Sequence, residues 1–540
     1  MDTKANNITP IQFGAKADGV TDDTNSIQDA LDFINNNGGG TLFFPKGVYR
    51  YSKGLYIGKN TIIKGEGIGN SILKIVDNVN LELAYDGFNP NCSIQFKPNI
   101  TDSEFCGIYD LEIDGNSSNN RHWLNSTFNP RNLPVGDIGR TGTNGILMQG
   151  SNVTIPKQVT IKDCYIHDTW RSGIAGNSAN NVIIDNCIFK NHDADHAIYL
   201  LPLNDKSKII LNNIIMKGYV RGEYLACRNA IVNNLTVEEI KENPLFDDYN
   251  FFVESIVTTR GSSNANINDK KITNILNNIN IKWSIINSAN KKPNLRGIFS
   301  CSAPTVAANI VVFCEDGTAP FSFVTGSKNP DGICPEVTLE NIKLENLPAS
   351  SIIVLSRYDC EPIKINGCKI TYYNNIVDNS NTLVKLQGIF ANNKVIELSN
   401  IICESGLRYL VSSDTTDMAL LTFLTIRDSK LIIPDNNTLM SGKSDLTDIT
   451  GITPRNFLFK NVEIGNQPNT LFYSIVKFDN VTSNGVDIME RNSISTKGYF
   501  YKGMKFINND YTNNRFTGWV CTLSGSGSSA TWEKYGSFID

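Results

Sequence analysis

The sequence predicts an all-β chain wound as a parallel solenoid, and two observations carry that reading. The first is an Asn-centred hexapeptide with apolar residues at its ends, which returns every twenty-odd residues: IKDCYI at 161–166, IDNCIF at 184–189, LNNIIM at 211–216 and VNNLTV at 232–237. Weaker copies follow at 339–342, 365–368, 398–401 and 459–462. Such a period marks one small unit stacked on its neighbours, because no single unit can bury its own apolar face. The second observation is the texture of the units. Short runs of alternating apolar residues, broken by Asn and Gly, read as strands and turns.

Composition agrees. The 540 residues are 40% hydrophobic and only 19% charged, with a formal net charge of -5. That balance gives no reason to expect nucleic acid or an anionic membrane as partner. No apolar run approaches the ~20 residues of a membrane span. The first residues show no apolar core of a secretion signal. Twelve cysteines are scattered without metal-like spacing. Cys164 and Cys187 hold the same place in consecutive repeats and are expected to stack inward as small hydrophobes.

The elements divide into an opening at 1–75, coils with surface insertions at 76–490, and a small β region at 491–540. In the opening, Ile27, Ala30, Leu31 and Ile34 share one helical face, acidic residues precede it, and glycines 38–40 end it. This short helix is expected to cap the first coil, which otherwise exposes a strand edge. Strands follow at TLFFPKGVY (41–49) and TIIKGEG (61–67). At the far end, a Gly/Ser-rich loop at 524–529 interrupts a final hairpin.

The opening FGAKADGVTDDTNSIQDAL (13–31), with GGTLFFPKGVY and IKGEG behind it, resembles the start of the pectate-lyase superfamily. The resemblance implies a right-handed parallel β-helix and activity on polysaccharides. The ending NDYTNNRFTGWVCT (509–522) is similar to the closing segments of phage tail appendages. Together these imply a homotrimeric tailspike-type depolymerase of a bacterial capsular, exopolysaccharide or wall glycan, carried on a virion tail or extracellular. The few residues before the opening are too short for a virion anchor, so a truncated chain or docking by a phage tail or baseplate protein is expected.

Chemistry is expected where the repeats stack. Anchoring on Ile174, Ile198 and Leu225 aligns Ser172, His196 and Glu223 on neighbouring coils, with strands ~4.8 Å apart. It also sets Arg171 beside Asp195 and Asp168 beside His192, with Arg221 and Asp193 nearby. Three of the chain's four histidines (167, 192 and 196) fall in this stretch. Preceding it, residues 115–143 form an excursion containing Arg121, His122 and Trp123. Trp123 and Trp170 are candidate sugar platforms; each equally suits packing under the loop.

Asp195, Glu223, His196, Asp193 and Arg171 are the candidate catalytic residues. His192, Asp168, Trp170, Arg221, Trp123, Arg121 and His122 are the candidate binding residues. Two carboxyls suit glycoside hydrolysis, provided one has a raised pKa and acts as acid. That reading is slightly preferred, since no lysine joins the group. β-Elimination needs instead a cation for a uronate carboxylate and a base for the adjacent proton, which Arg171 and His192 or His196 supply. No cofactor or defined metal site is expected, although Asp193 and Asp195 offer oxygen ligands for calcium. Asp247, Asp248, Glu254, Glu315 and Asp316 are rival acids on irregular connections. A glycan-binding adhesin without catalysis is the alternative of another class, since fold does not fix activity.

Overall fold

The computed structural model describes residues 8–79, 92–97, 103–120, 143–148, 156–193, 195–202, 204–220, 222–241, 255–260, 273–283, 297–315, 321–326, 333–334, 336–347, 350–355, 359–360, 362–375, 381–386, 394–413, 422–433, 440–441, 457–465, 476–483, 486–487, 490–491, 499–500, 505–508, 516–523, 525–526 and 529–537. The chain forms two compact units, residues 1–295 with 303–306 and residues 296–302 with 307–540.

In the first unit the helix Thr24–Asn36 buries Ile27, Ala30, Leu31 and Ile34, as its 3.6-residue spacing requires. Of the two acids before it, Asp22 accepts the first-turn N–H of Thr24 at 3.0 Å, as the helix polarity requires. Asp23 makes no helix cap; its carboxylate accepts the backbone N–H groups of Lys16 and Ala17 at 2.7 and 3.0 Å. The helix ends at Asn36 with Asn37 as its C-cap, and Gly39 behind it holds φ 116°, where a Cβ would meet the Asn60 carbonyl at 2.6 Å.

Behind the cap, the repeats lie on one another as parallel strands. Ile161, Ile184, Leu211, Val232 and Leu276 stand in register, as do Ile166, Phe189, Met216, Val237 and Ile281. All ten are essentially inaccessible. Cys164 and Cys187 are buried and unbridged. A second sheet runs through Ile94, Ile146, Ile174, Ile198, Leu225 and Val257. The apolar residues of each coil thus stack in columns, the architecture of a parallel β-helix.

The asparagine of the hexapeptide has a geometric task. Asn186, Asn213, Asn234 and Asn278 have φ between 52° and 59°, and Asp163 has 55°. This left-handed conformation breaks the strand's alternation and bends it, and Asn and Asp tolerate it better than other residues bearing a Cβ. The side chains then link the coils: Asn234 Nδ2 donates to Asn213 Oδ1 at 2.9 Å and Asn278 Nδ2 to Asn234 Oδ1 at 3.0 Å. Asn213→Ala removes the link to Asn234 and the 3.0 Å donation from Asn213 Nδ2 to Asp185 Oδ1, and strains the bend, at an expected cost of about 1–3 kcal/mol. Chemical denaturation would show it, and an unchanged midpoint would refute the ladder's role.

The second unit repeats the design. Leu339, Ile365, Leu398, Ile426, Phe459 and Phe478 stand in parallel register, and Asn341, Asn400, Asp428, Asn461 and Asn480 occupy the left-handed bends. It closes in antiparallel strands, with Phe516–Leu523 between Lys505–Asn508 and Thr531–Ser537. The C-terminal β region is therefore present. No helix among the described residues is long and apolar enough to cross a membrane.

Candidate active site

On three successive coils a strand of the first sheet ends at Thr169, His192 and Gly218, and the chain turns a corner before resuming at Ile174, Ile198 and Glu223. Ile174, Ile198 and Leu225 pair as the repeat predicts. The corners therefore stack, and Arg171, Asp195, His196 and Glu223 meet.

The His196 ring bridges two carboxylates. Its Nε2 is 3.0 Å from Asp195 Oδ1, and its Nδ1 is 2.9 Å from Glu223 Oε2. An arginine closes each end: Arg171 Nη2 lies 3.2 Å from Asp195 Oδ2, and Arg260 Nη2 lies 2.7 Å from Glu223 Oε1. Thr258 Oγ1 donates to that same Glu223 oxygen at 3.2 Å. Tyr199 stacks on the His196 ring, with centroids 5.0 Å apart and planes 13° apart, and the Arg260 guanidinium lies 5.9 Å above Tyr199. The result is a row of five groups, Arg171–Asp195–His196–Glu223–Arg260, alternating in charge. Glu223 is 4% exposed, Asp195 26% and Arg260 38%, so the row opens to solvent unevenly.

The row fixes its own protonation. Burial alone would lower the His196 pKa, but the charges of Asp195 and Glu223 outweigh it and push it up to about 10. Burial would likewise raise both acids. The His196 charge and its hydrogen bonds prevail, holding Glu223 at about 2 and Asp195 well below the usual carboxylate range. Nδ1 is also 3.0 Å from the Glu223 backbone nitrogen. One ring nitrogen cannot donate and accept together; in the imidazolium, Nδ1–H donates to the carboxylate, and the N–H contact operates only in the neutral ring.

Other expected residues fall differently. His192 is fully buried, so it is no binding residue for substrate. Thr169 Oγ1 donates to the Arg171 carbonyl and so accepts from His192 Nδ1 at 2.7 Å, and burial lowers the ring's pKa to about 3. Asp168 faces Asn191 and His167 (2.9 and 2.7 Å), not His192. The reason is a length difference: His192 pairs with Thr169 at one sequence offset and Ile198 with Ile174 at an offset one residue longer. Trp170 is 3% exposed and packs beneath the surface instead of forming a sugar platform. Asp193 is also fully buried. With both Asp195 oxygens engaged by cationic side chains, an Asp193/Asp195 calcium site does not fit these residues. Arg221, Arg121, His122, Trp123, Asp247, Asp248, Glu254 and Asp316 lie outside the described residues; Glu315 is exposed.

Arg260, Tyr199 and Thr258 were not anticipated, nor was a second imidazole network nearby. His167 lies 2.7 Å from Asp168 and 3.2 Å from Glu112, while Asp114 is paired with Lys74 at 2.6 Å. Asp114, His167 and Asp168 bring ligand atoms within 4.8 Å of one another. Burial opposes protonation of His167, yet the neighbouring acids raise its pKa to about 9, so the protonated ring and Lys74 stand against the carboxylates of Glu112, Asp114 and Asp168.

Comparison with known proteins gives partial matches. The chain is 30% identical over 196 residues to alginate lyase 7 of Azotobacter vinelandii, which covers 33% of this chain and 22% of that protein. It is 28% identical over 222 residues to mannuronan C5-epimerase AlgE5 of the same organism, covering 38% and 21%. With the preneck appendage protein of Bacillus phage PZA it shares 23% over 188 residues, covering 32% and 19%. The chain thus spans about a fifth of the length of these relatives. Among solved structures, the pre-mature bacteriophage phi29 gene product 12 superposes with a TM-score of 0.44 and 16% identity, over 88% of this chain and 56% of that one. Residues 7–91 match the family model for rhamnogalacturonase A/epimerase, pectate lyase-like, so the opening is a pectate-lyase-like segment and the coils behind it are those of a parallel β-helix protein.

Proposed function

We propose that the chain acts on an acidic, uronate-bearing polysaccharide by removing the proton beside the sugar carboxylate, leading to elimination or to inversion at that carbon. The observation that carries this reading is the charge row. Hydrolysis by a carboxyl pair requires one carboxyl kept protonated as the acid. Here both Asp195 and Glu223 are bound to one imidazolium and held ionised. The row instead offers what elimination needs: exposed guanidinium charge for a carboxylate, an acceptor and a donor of protons. The matched relatives, named for alginate and mannuronan, support a uronate substrate.

In this reading Arg171 draws the substrate carboxylate and acidifies the adjacent C–H. Asp195, freed of Arg171, takes the proton. In elimination the electron pair left on carbon forms the new double bond as the glycosidic C–O bond breaks, and the His196 imidazolium protonates the departing oxygen. Transfer from Asp195 to His196 across 3.0 Å restores the starting state. In inversion that C–O bond stays intact and the electron pair takes a solvent proton on the opposite face of the ring. The proposed setting is a phage appendage or an extracellular enzyme, working as a homotrimer docked by a tail protein on a bacterial surface polysaccharide; likeness to the preneck appendage protein supports it.

Incubation with alginate, mannuronan and polygalacturonate tests the chemistry. Elimination raises ultraviolet absorbance as unsaturated ends form, and inversion incorporates solvent deuterium without cleavage; Asp195→Asn abolishes either. Saturated products with new reducing ends would establish hydrolysis instead, and retention of unaltered glycan would establish a binding protein.

A further inference from the structure

The row has two arginines, and the proposed chemistry at one sugar uses only Arg171. Arg260 stands at the opposite end, beyond Glu223, and is the more exposed of the two (38% against 23%). Its Nη2 is given to Glu223, while its Nε, buried from water, makes no hydrogen bond. A guanidinium offers its N–H groups as a planar fork suited to two carboxylate oxygens at once. Arg260 therefore has donor capacity that Glu223 does not use.

Glu223, for its part, does not depend on Arg260. Its Oε2 stays with His196 at 2.9 Å, and its Oε1 keeps the Thr258 hydroxyl at 3.2 Å. Releasing Arg260 thus leaves no orphaned carboxylate, which would otherwise carry the full penalty of an unpaired buried charge. Tyr199, pressed on the His196 ring and beneath the guanidinium, provides a flat support that Arg260 can keep as it turns outward. Tyr199, Ala226 and Thr258 stand in register on three consecutive coils, so Arg260 belongs to a strip of the second sheet running along the coils from the reacting corner.

We infer that Arg260 is a specificity-determining residue that exchanges Glu223 for the carboxylate of a second sugar, so that the protein selects runs of consecutive uronates over isolated ones. This rests on the uronate chemistry proposed above and adds to it a second subsite. Because Arg260 binds a sugar that does not react, its contribution is to binding, equal in ground and transition states.

The test compares wild type, Arg260→Gln and Arg260→Lys on two polymers: a homopolymeric uronate, and an alternating polymer in which each uronate is flanked by neutral sugars. Arg260→Gln is expected to raise KM on the homopolymer at least tenfold while kcat changes less than threefold, and to leave KM on the alternating polymer within threefold. Arg260→Lys, keeping the charge but losing the fork, falls between. A merely structural arginine would shift both polymers alike, or lower kcat, and either outcome overturns the inference. Should Arg260→Gln not fold, oligouronate binding by the Asp195→Asn and Asp195→Asn/Arg260→Lys proteins decides, a loss of at least threefold confined to consecutive uronates being expected and equal affinities overturning it. Wild type inactive on every uronate polymer overturns this inference and the proposed function together. Turnover with an Arg260→Gln variant that ignores the polymer's pattern overturns this inference alone.

Discussion

His196→Ala is expected to destabilise the first unit by about 3–5 kcal/mol, the cost of removing one partner from a buried ion pair, and to abolish the glycan turnover proposed above. Two carboxylates share this ring, and Glu223 is 4% exposed. Arg260 and Thr258 continue to hold Glu223, which places the expected cost toward the lower end of that range. The pH dependence identifies the cause. The His196 pKa is raised from 6.5 to about 10, so its stabilisation is fully present below 6.5 and is lost as pH rises through about 10. The Glu223 pKa is lowered from 4.5 to about 2, so its share is present above 4.5 and is lost as pH falls through about 2. The pair therefore contributes fully between 4.5 and 6.5. The gap between wild type and His196→Ala, read from denaturant midpoints, is widest there and narrows steadily as pH rises from 6.5 towards about 10. Adding Glu223→Gln to the variant recovers part of the loss, because it removes the uncompensated charge. A loss under about 1 kcal/mol, or a gap independent of pH, would show the row to be a solvated surface pair.

How far the site was legible follows from where the repeat keeps step. The columns Ile161/Ile184/Leu211/Val232 and the anchors Ile174/Ile198/Leu225 were readable because a stacked coil must repeat its apolar positions. Arg171, Asp195, His196 and Glu223 lie close to those anchors and came together as expected. Asp168 and His192 did not, because the one-residue difference between the corners lies between them and the anchor; alignment from Ile166 and Phe189 would have paired Thr169 with His192. Burial of Asp193 and Trp170 depends on how the corner turns, which periodicity does not encode. Arg260 was out of reach for another reason: residues 242–254 separate it from the phased repeats. A signal did exist beyond that gap, since LNNINI at 276–281 copies the hexapeptide and pairs in register with Val232–Val237. The partners of His167 were missed because Glu112 and Asp114 lie far before it in the sequence, with no copy of the hexapeptide to mark them as the adjacent strand, on which Asp114 pairs with His167.

The corner also depends on the absence of a side chain. Gly145 and Gly173 occupy equivalent positions on adjacent coils, and Ala197 follows them on the next. A Cβ on Gly173 would meet the Ala197 carbonyl oxygen at 2.7 Å, His192 Cε1 at 2.8 Å and Phe189 Cδ1 at 2.9 Å. None of these can give way freely: the first is backbone, and the other two belong to fully buried rings. Gly173→Ala is therefore expected to cost about 1–3 kcal/mol as overpacking. Its larger effect falls on chemistry. The Gly173 N–H donates to the His196 carbonyl at 3.1 Å and the Ile174 N–H to the Ala197 carbonyl at 3.0 Å, so relief of the clash moves the very turn that carries Asp195 and His196. A displacement near 1 Å at a reacting group lowers turnover on the order of 100-fold. Ala197→Gly, which removes a Cβ at the equivalent position one coil on, is expected to stay within about 1 kcal/mol of wild type, the cost of glycine's added backbone freedom. Thermal unfolding and turnover measured on both variants decide the matter: equal behaviour of the two would mean that the corner is not held by close packing, and the alignment of the charge row would need another cause.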